Sequence, residues 1–418
     1  MKRFRIAFVI VSLLLLCGMA ANLTGCAAKI HAADLMKDMN AEPVSGKAAD
    51  ERFISSQMKL SVELFKASAE ESKNKNVLVS PLSIELALAM TANGADGQTR
   101  AEMETLLGGG ILLEELNEYL YSYVNSLPTG EKYKLSIANS IWFRDDDGLN
   151  VKQEFLQTNA NYYGAQAYKA PFDAGTVKAI NNWVDEHTDG MIDKIIEEIS
   201  RDTVMYLINA FVFDAEWEKT YEESDVHPGS FTSVSGDERD AEMMSSTENK
   251  YLNDGRATGF IKNYKDGKYS FAALLPNEGA DIYEYISGLT DESLQNILEN
   301  VRSESVLTKM PKFSSEYEHT LNGVLAGLGM PSAFDGRADF SRITEENDLC
   351  ISEVLHKTYI SVDEAGTKAG AATSVALRYK SAPICENTVT LDRPFVYMII
   401  DNSTNLPIFI GAVVDITE

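Results

Sequence analysis

Cysteine is scarce, with four in 418 residues, so no disulfide framework can be what holds so long a chain together. The five histidines, His31, His187, His227, His319 and His356, show no zinc-ligand spacing, and the acidic turn Arg144-Asp-Asp-Asp-Gly148 is too short for a calcium loop. Gly-x-Ser-x-Gly is absent, which removes the nucleophile elbow of the hydrolases. No glycine-rich phosphate loop precedes a Lys-Ser or Lys-Thr pair. Ser-x-x-Lys occurs at Ser56 to Lys59 and Ser72 to Lys75, but without the Ser-Asp-Asn and Lys-Thr-Gly partners of penicillin-binding enzymes. Neither catalysis nor a metal or cofactor is therefore expected. Positive charge is also short: 37 Lys and Arg stand against 63 Asp and Glu, a net charge of -26 that repels nucleic acid and anionic surfaces. What is present is a chain 44% hydrophobic and 9% aromatic, enough to bury a large core in one big domain or two.

The amino terminus places Lys2, Arg3 and Arg5 before an apolar run from Ile6 to Leu16, followed by Leu23-Thr-Gly-Cys26. A basic head, a short apolar middle and small residues before a cut describe a secretory signal, and the run is too short for a stable membrane span. Leu23-Thr-Gly-Cys26 resembles the bacterial lipobox, which implies removal of residues 1–25 and acylation (palmitate) of Cys26. The expected location is the outer face of a bacterial membrane, held by more than one acyl chain. Residues 26–50, Ala-rich and polar with Pro43 and Gly46, read as the lipidated Cys and a flexible tether. The folded domain is expected over 51–418.

Within it, helical spacing of Ile54, Met58, Val62 and Phe65 predicts a helix from Arg52 to Glu71. Ser80 before Pro81 is placed to cap a helix through Ala87 to Met90. Lys134 to Phe143 reads as a strand, and Thr203 to Phe213 as a strand covered on both faces, being almost continuously apolar. Helices are expected at Lys152 to Tyr163, Thr176 to Thr188 and, as one stretch, Asp281 to Glu299. Antiparallel hairpins are expected over 230–275, turning at Asn253-Asp-Gly255 and Lys265-Asp-Gly267. Cys350 reads as a small core residue in an apolar strand.

The stretch the rest serves is 362–385. It joins two apolar strand patterns through about twenty residues, where a hairpin needs two to five. At period two, Thr367, Ala369, Ala371, Thr373, Val375 and Leu377 form one uncharged face, with Lys368 and Arg378 on the other. A segment that can be either loop or strand suggests a switch, hinged at Gly366.

Glu364-Ala-Gly-Thr-Lys-Ala-Gly-Ala-Ala-Thr373 resembles the reactive-loop hinge of the serpin family, and Asp392-Arg-Pro-Phe-Val-Tyr-Met-Ile-Ile-Asp401 resembles the strand that follows it. Asn76-Val-Leu-Val-Ser-Pro-Leu-Ser83, Asn182-Trp-Val-Asp-Glu-His-Thr188, Leu307-Thr-Lys-Met-Pro-Lys-Phe313 and Leu321 to Phe334 are similar to serpin segments in the same order. The resemblance covers almost everything from Arg52 onward.

It implies an α+β serpin fold of three β-sheets and eight or nine helices, with an exposed reactive-centre loop at about 364–385. It further implies suicide inhibition of a serine protease, in a covalent complex, by insertion of the cut loop into the main sheet. Family position places the reactive bond at Lys380 and Ser381, which suits a trypsin-like pocket, with Arg378 and Tyr379 as alternative cut residues. The hinge is Gly366, Thr367, Ala369, Gly370, Ala371, Ala372 and Thr373. Trp217, Lys312 and Glu364 match the breach, and Ser80, Ser83, Asn209 and His356 match the shutter beneath the sheet. The helix at Leu112 to Val124 has no basic residue, so no heparin-type activator is expected. A monomer is expected, and the alternatives are a non-inhibitory serpin or an inhibitor of a cysteine or chymotrypsin-like protease.

Overall fold

A computed structural model describes residues 32–417, apart from 129, 147–148, 346–348 and 368–386. Cys26, the hinge from Ala369 to Thr373 and the bond at Lys380 and Ser381 therefore lie outside the described residues. In chain order the elements are β1 (Ala33–Asp34), α1 (Glu51–Glu71), β2 (Val77–Val79), α2 (Pro81–Ala92), α3 (Gly97–Gly108), α4 (Leu113–Ser126), β3 (Tyr133–Arg144), α5 (Gln153–Tyr163), β4 (Gln166–Ala170), α6 (Ala174–His187) and β5 (Met205–Glu216). There follow β6 (Val226–Thr232), β7 (Glu238–Glu248), β8 (Tyr251–Asn253), β9 (Ala257–Asn263), β10 (Tyr269–Pro276), α7 (Ile282–Ser287), α8 (Asp291–Glu299), β11 (Val306–Pro311), β12 (Phe313–Thr320) and α9 (Asn322–Leu328). The chain ends with β13 (Glu353–Val362), β14 (Gly366–Thr367), β15 (Asn387–Thr390), β16 (Phe395–Asp401) and β17 (Pro407–Val413).

These strands form three sheets. The first, of seven strands, runs β1-β4-β3-β5-β14-β13-β12; a six-stranded sheet runs β2-β17-β16-β10-β9-β8; a four-stranded sheet runs β15-β11-β7-β6. The strand predicted to be covered on both faces is so covered. On β5, Met205, Leu207, Phe211, Phe213 and Ala215 enter the main core with the six-stranded sheet, while Tyr206, Ile208, Ala210 and Val212 enter a smaller core beneath α6. α2, mostly apolar, is buried on every side, its Ser83, Glu85 and Thr91 included, and the Ser80 side chain accepts from the Ser83 N–H at its start.

Several expectations need correction. Residues 32–50 are no free tether. β1 pairs antiparallel with β4, Ala33 opposite Lys169, the Glu42 N–H donates to Asn161 Oδ1 at 2.8 Å, and the Lys47 N–H donates to Glu118 O at 3.0 Å. Leu35, Met36 and Met39 pack against the core, and these apolar side chains, with the open edge of β4, draw the segment down. The single helix expected over 281–299 is two, parted at Gly288, because Thr290 opens α8 with a capping box of its own. Cys350 lies in the connection before β13, half-buried, and burial pushes its thiol above the usual range.

Candidate functional site: the hinge, breach and shutter

The centre of the large sheet is closed at one end and wedged open at the other. β5 and β13 pair directly and in parallel from Glu353 opposite Tyr206 to Thr358 opposite Phe211. Above that, β14 sits between them, Gly366 opposite Glu216 and Thr367 opposite Ala215 on one side, and Thr367 opposite Val362 on the other. The hinge has thus already begun to become a strand. Gly366 is required there, since a Cβ would stand 2.0 Å from the Ala215 carbonyl oxygen. Thr367 is fully buried and its hydroxyl is hydrogen-bonded to Tyr264.

The turn leading into β14 is held by backbone donors. The Trp217 N–H donates to Ala365 O at 2.9 Å, and the Tyr221 N–H to Glu364 O at 3.0 Å. The Trp217 indole N–H donates to Asp363 O at 2.8 Å, and the ring stacks on Tyr264 at 4.5 Å between centroids. Lys312 pairs with Glu364 and also with Glu242 at 3.1 Å. Partial burial works against both charges, but their mutual hydrogen bond wins: the Lys312 ammonium is held above its usual pKa and the Glu364 carboxyl below. With Glu364 at 36% exposure the pair adds little stability. The three residues expected at the breach do come together; Tyr221, Tyr264 and Glu242 were missed.

Six residues below, the expected shutter also assembles. The Ser80 N–H donates to His356 Nε2 at 3.3 Å, which leaves the ring proton on Nδ1 to donate to Asn209 Oδ1 at 2.6 Å. The Asn209 amide then donates to Ser83 O at 2.7 Å, to Ser83 Oγ and to Asn139 Oδ1. Asn139 was not anticipated; it stands directly across from Asn209 on β3. The hydrogen bond between His356 and Asn209 spans the β5–β13 seam.

Full burial and, secondarily, the nearby His319 lower the His356 pKa to about 3, so the ring is neutral in the fold. An unfolded histidine takes up its proton near pH 6.5. The stability this residue contributes is therefore complete above about pH 6.5 and is lost as pH falls towards 3, with a slope of at most about 1.4 kcal/mol per pH unit. His356→Gln keeps one acceptor and one donor but cannot titrate. Its unfolding free energy between pH 6 and pH 4 is expected to fall less steeply than that of the natural protein, by close to one proton. Equal slopes in a denaturant titration would show that His356 is not the group responsible.

Among the described residues, no cluster of three or more His, Cys, Asp and Glu could hold a metal ion, and no helix is long and apolar enough to cross a membrane.

Comparison with known proteins decides what family carries this arrangement. The model of the serpin (serine protease inhibitor) family matches residues 55–416. The chain is a serpin. It is 33% identical over 363 residues to an uncharacterized serpin-like protein of Thermococcus kodakarensis, covering 84% of this chain and 82% of that one. Among solved structures it is similar to tengpin, a thermophilic serpin, in the native state, with a TM-score of 0.89 and 50% identity over 92% of this serpin and 100% of tengpin. Against tengpin in the latent state the TM-score is 0.79, at 50% identity over 89% of this chain and 100% of that one. The three-sheet serpin fold expected from the sequence is the fold observed, with nine α-helices among the described residues.

Proposed function

We propose that this serpin is a suicide inhibitor of a trypsin-like serine protease, cut at Lys380 and Ser381, and that it traps the acyl-enzyme by drawing the severed loop into the large sheet. The observation that carries the reading is the wedge: two loop residues already form a strand between β5 and β13. Continuing that register puts Ala369 opposite Phe213, Ala371 opposite Phe211, Thr373 opposite Asn209 and Val375 opposite Leu207. Once inserted, all four would fall on the face of Thr367, turned to the main core, and none is charged. Thr373 arrives level with the shutter, so its hydroxyl can serve Asn209 once the incoming strand has severed the bond from His356. In the inserted strand Gly370, Ala372, Ser374 and Ala376 would face the smaller core beneath α6, where their size suits a covered site.

Insertion must break the direct pairing of β5 with β13 and replace it. About fourteen residues gain ladder hydrogen bonds at roughly 1 kcal/mol net each, which roughly 1 to 2 kcal/mol of ordering entropy per residue cancels. The surplus must come from apolar burial and from relief of faults in the uncut fold. The uncut fold is thus read as kinetically trapped. Fourteen inserted residues span roughly 45 Å at about 3.3 Å each, enough to drag a tethered protease far from where it docked and out of catalytic geometry.

The same reading includes a monomer, export, and anchoring to a bacterial membrane through lipid on Cys26. The strap 32–50 then holds the folded body close to the membrane, since little chain separates β1 from Cys26. Incubation with trypsin, followed by denaturing electrophoresis, tests the function. A denaturant-resistant conjugate is expected; complete cleavage without conjugate would instead indicate a non-inhibitory serpin.

A further inference from the structure

Behind the docking point of the hinge lies a buried pair of opposite charges. Lys262, on β9, has a side chain only 2% exposed, and its ammonium lies 3.0 Å from a carboxylate oxygen of Glu248, itself 13% exposed. The same ammonium stands over the Tyr221 ring at 4.4 Å and the Trp217 ring at 5.5 Å from their centroids. Those are the two residues whose backbone N–H groups hold the carbonyls of Ala365 and Glu364. Glu248 is fixed in turn by the Ser246 hydroxyl at 2.7 Å.

Burying an ammonium and a carboxylate costs several kcal/mol per ion, and well-packed apolar side chains in their place are often as stable or more so. The pair is thus a poor device for stability but a good one for position. A fixed cation draws the faces of two aromatic rings to one point, and with them the turn 217–221 that receives the hinge.

We propose that Lys262, locked by Glu248, is a positioning residue: it seats the hinge before the loop is cut and so sets the fraction of cut loops that insert before the acyl-enzyme hydrolyses. The inference rests on the inhibitory reading above. A hinge already seated starts insertion from a formed strand; an unseated one must first find its place, and deacylation gains time.

The test is the double variant Lys262→Met with Glu248→Gln, which removes both charges at similar volume, titrated against trypsin beside the natural protein. The ratio of cleaved serpin to conjugate is expected to rise about fivefold, what loss of roughly 1 kcal/mol of cation–π contact gives. The rate of loop cleavage and the melting temperature of the cleaved form are expected to stay as they were, which a merely structural role would not allow. Lys262→Arg, which keeps a cation over both rings, is expected to restore the natural ratio. Should the double variant not fold, Tyr221→Leu removes one ring but keeps its backbone donor, and the same rise is expected. A natural protein that conjugates beside variants of unchanged ratio overturns the inference alone; a natural protein that gives no conjugate overturns the inhibitory reading and the inference with it.

Discussion

On the inhibitory reading, Thr367→Arg is expected to abolish trapping and leave a plain substrate. Thr367 is fully buried opposite Ala215, with its hydroxyl on Tyr264. A guanidinium there would have no partner in the surrounding core and would cost several kcal/mol. The hinge would be expelled, β5 and β13 would be free to close above Phe211, and the cut loop could not begin to insert. Trypsin should cleave the variant at the natural rate, while conjugate falls at least about a hundredfold, the effect of roughly 3 kcal/mol on the partition. Thr367→Ser keeps both the size class and the hydroxyl and is expected to behave as the natural protein. Undiminished conjugate from the arginine variant would refute insertion through this seam.

The second large effect is expected at the bond itself. If Lys380 is the cut residue, Lys380→Glu replaces the side chain that pairs with the buried carboxylate of a trypsin-like pocket by one that opposes it. Like charges so placed cost several kcal/mol, and conjugation with trypsin should slow by about a thousandfold. The mass of the released carboxy-terminal peptide identifies the bond independently: it begins at Ser381 if Lys380 is cut, and at Tyr379 or Lys380 if Arg378 or Tyr379 is. An unaltered rate in the glutamate variant, with a peptide beginning at Tyr379, would move the reactive bond to Arg378.

Much of this molecule could be read from its residues, because the legible parts are local. Ser80 before Pro81 caps α2 as such a pair must, and the apolar run at 203–213 can only be a strand covered twice. Thr367, the first residue of the alternating face, is the one of its members that is described, and it is buried in the sheet. Trp217, Lys312 and Glu364 could be grouped through resemblance, and they do meet. What could not be read is contact that only the closed fold creates. Tyr264 lies 103 residues from Thr367, and nothing near it in sequence announces a hydroxyl aimed at the hinge. Asn139 looks like any polar strand residue until β3 sets it across from Asn209. Lys262 carries an ordinary surface side chain by type, and only Glu248 and the rings of Trp217 and Tyr221 make its burial intelligible. The strap was misread for a different reason. Its composition is that of a linker, and three apolar side chains suffice to seat it only because β4 leaves an edge open beside them.

The central claim is that the native fold is a trapped one, relieved when the loop enters the sheet. Its most direct test is to nick the loop within 374–384 with a metalloprotease, which forms no acyl intermediate and so escapes capture, and to compare melting temperatures. The nicked serpin is expected to melt about 10 to 20 °C above the intact one, as a gain of roughly 10 kcal/mol would produce in a chain of this length. A nicked protein that melts at the same temperature as the intact one, or below it, would contradict the claim.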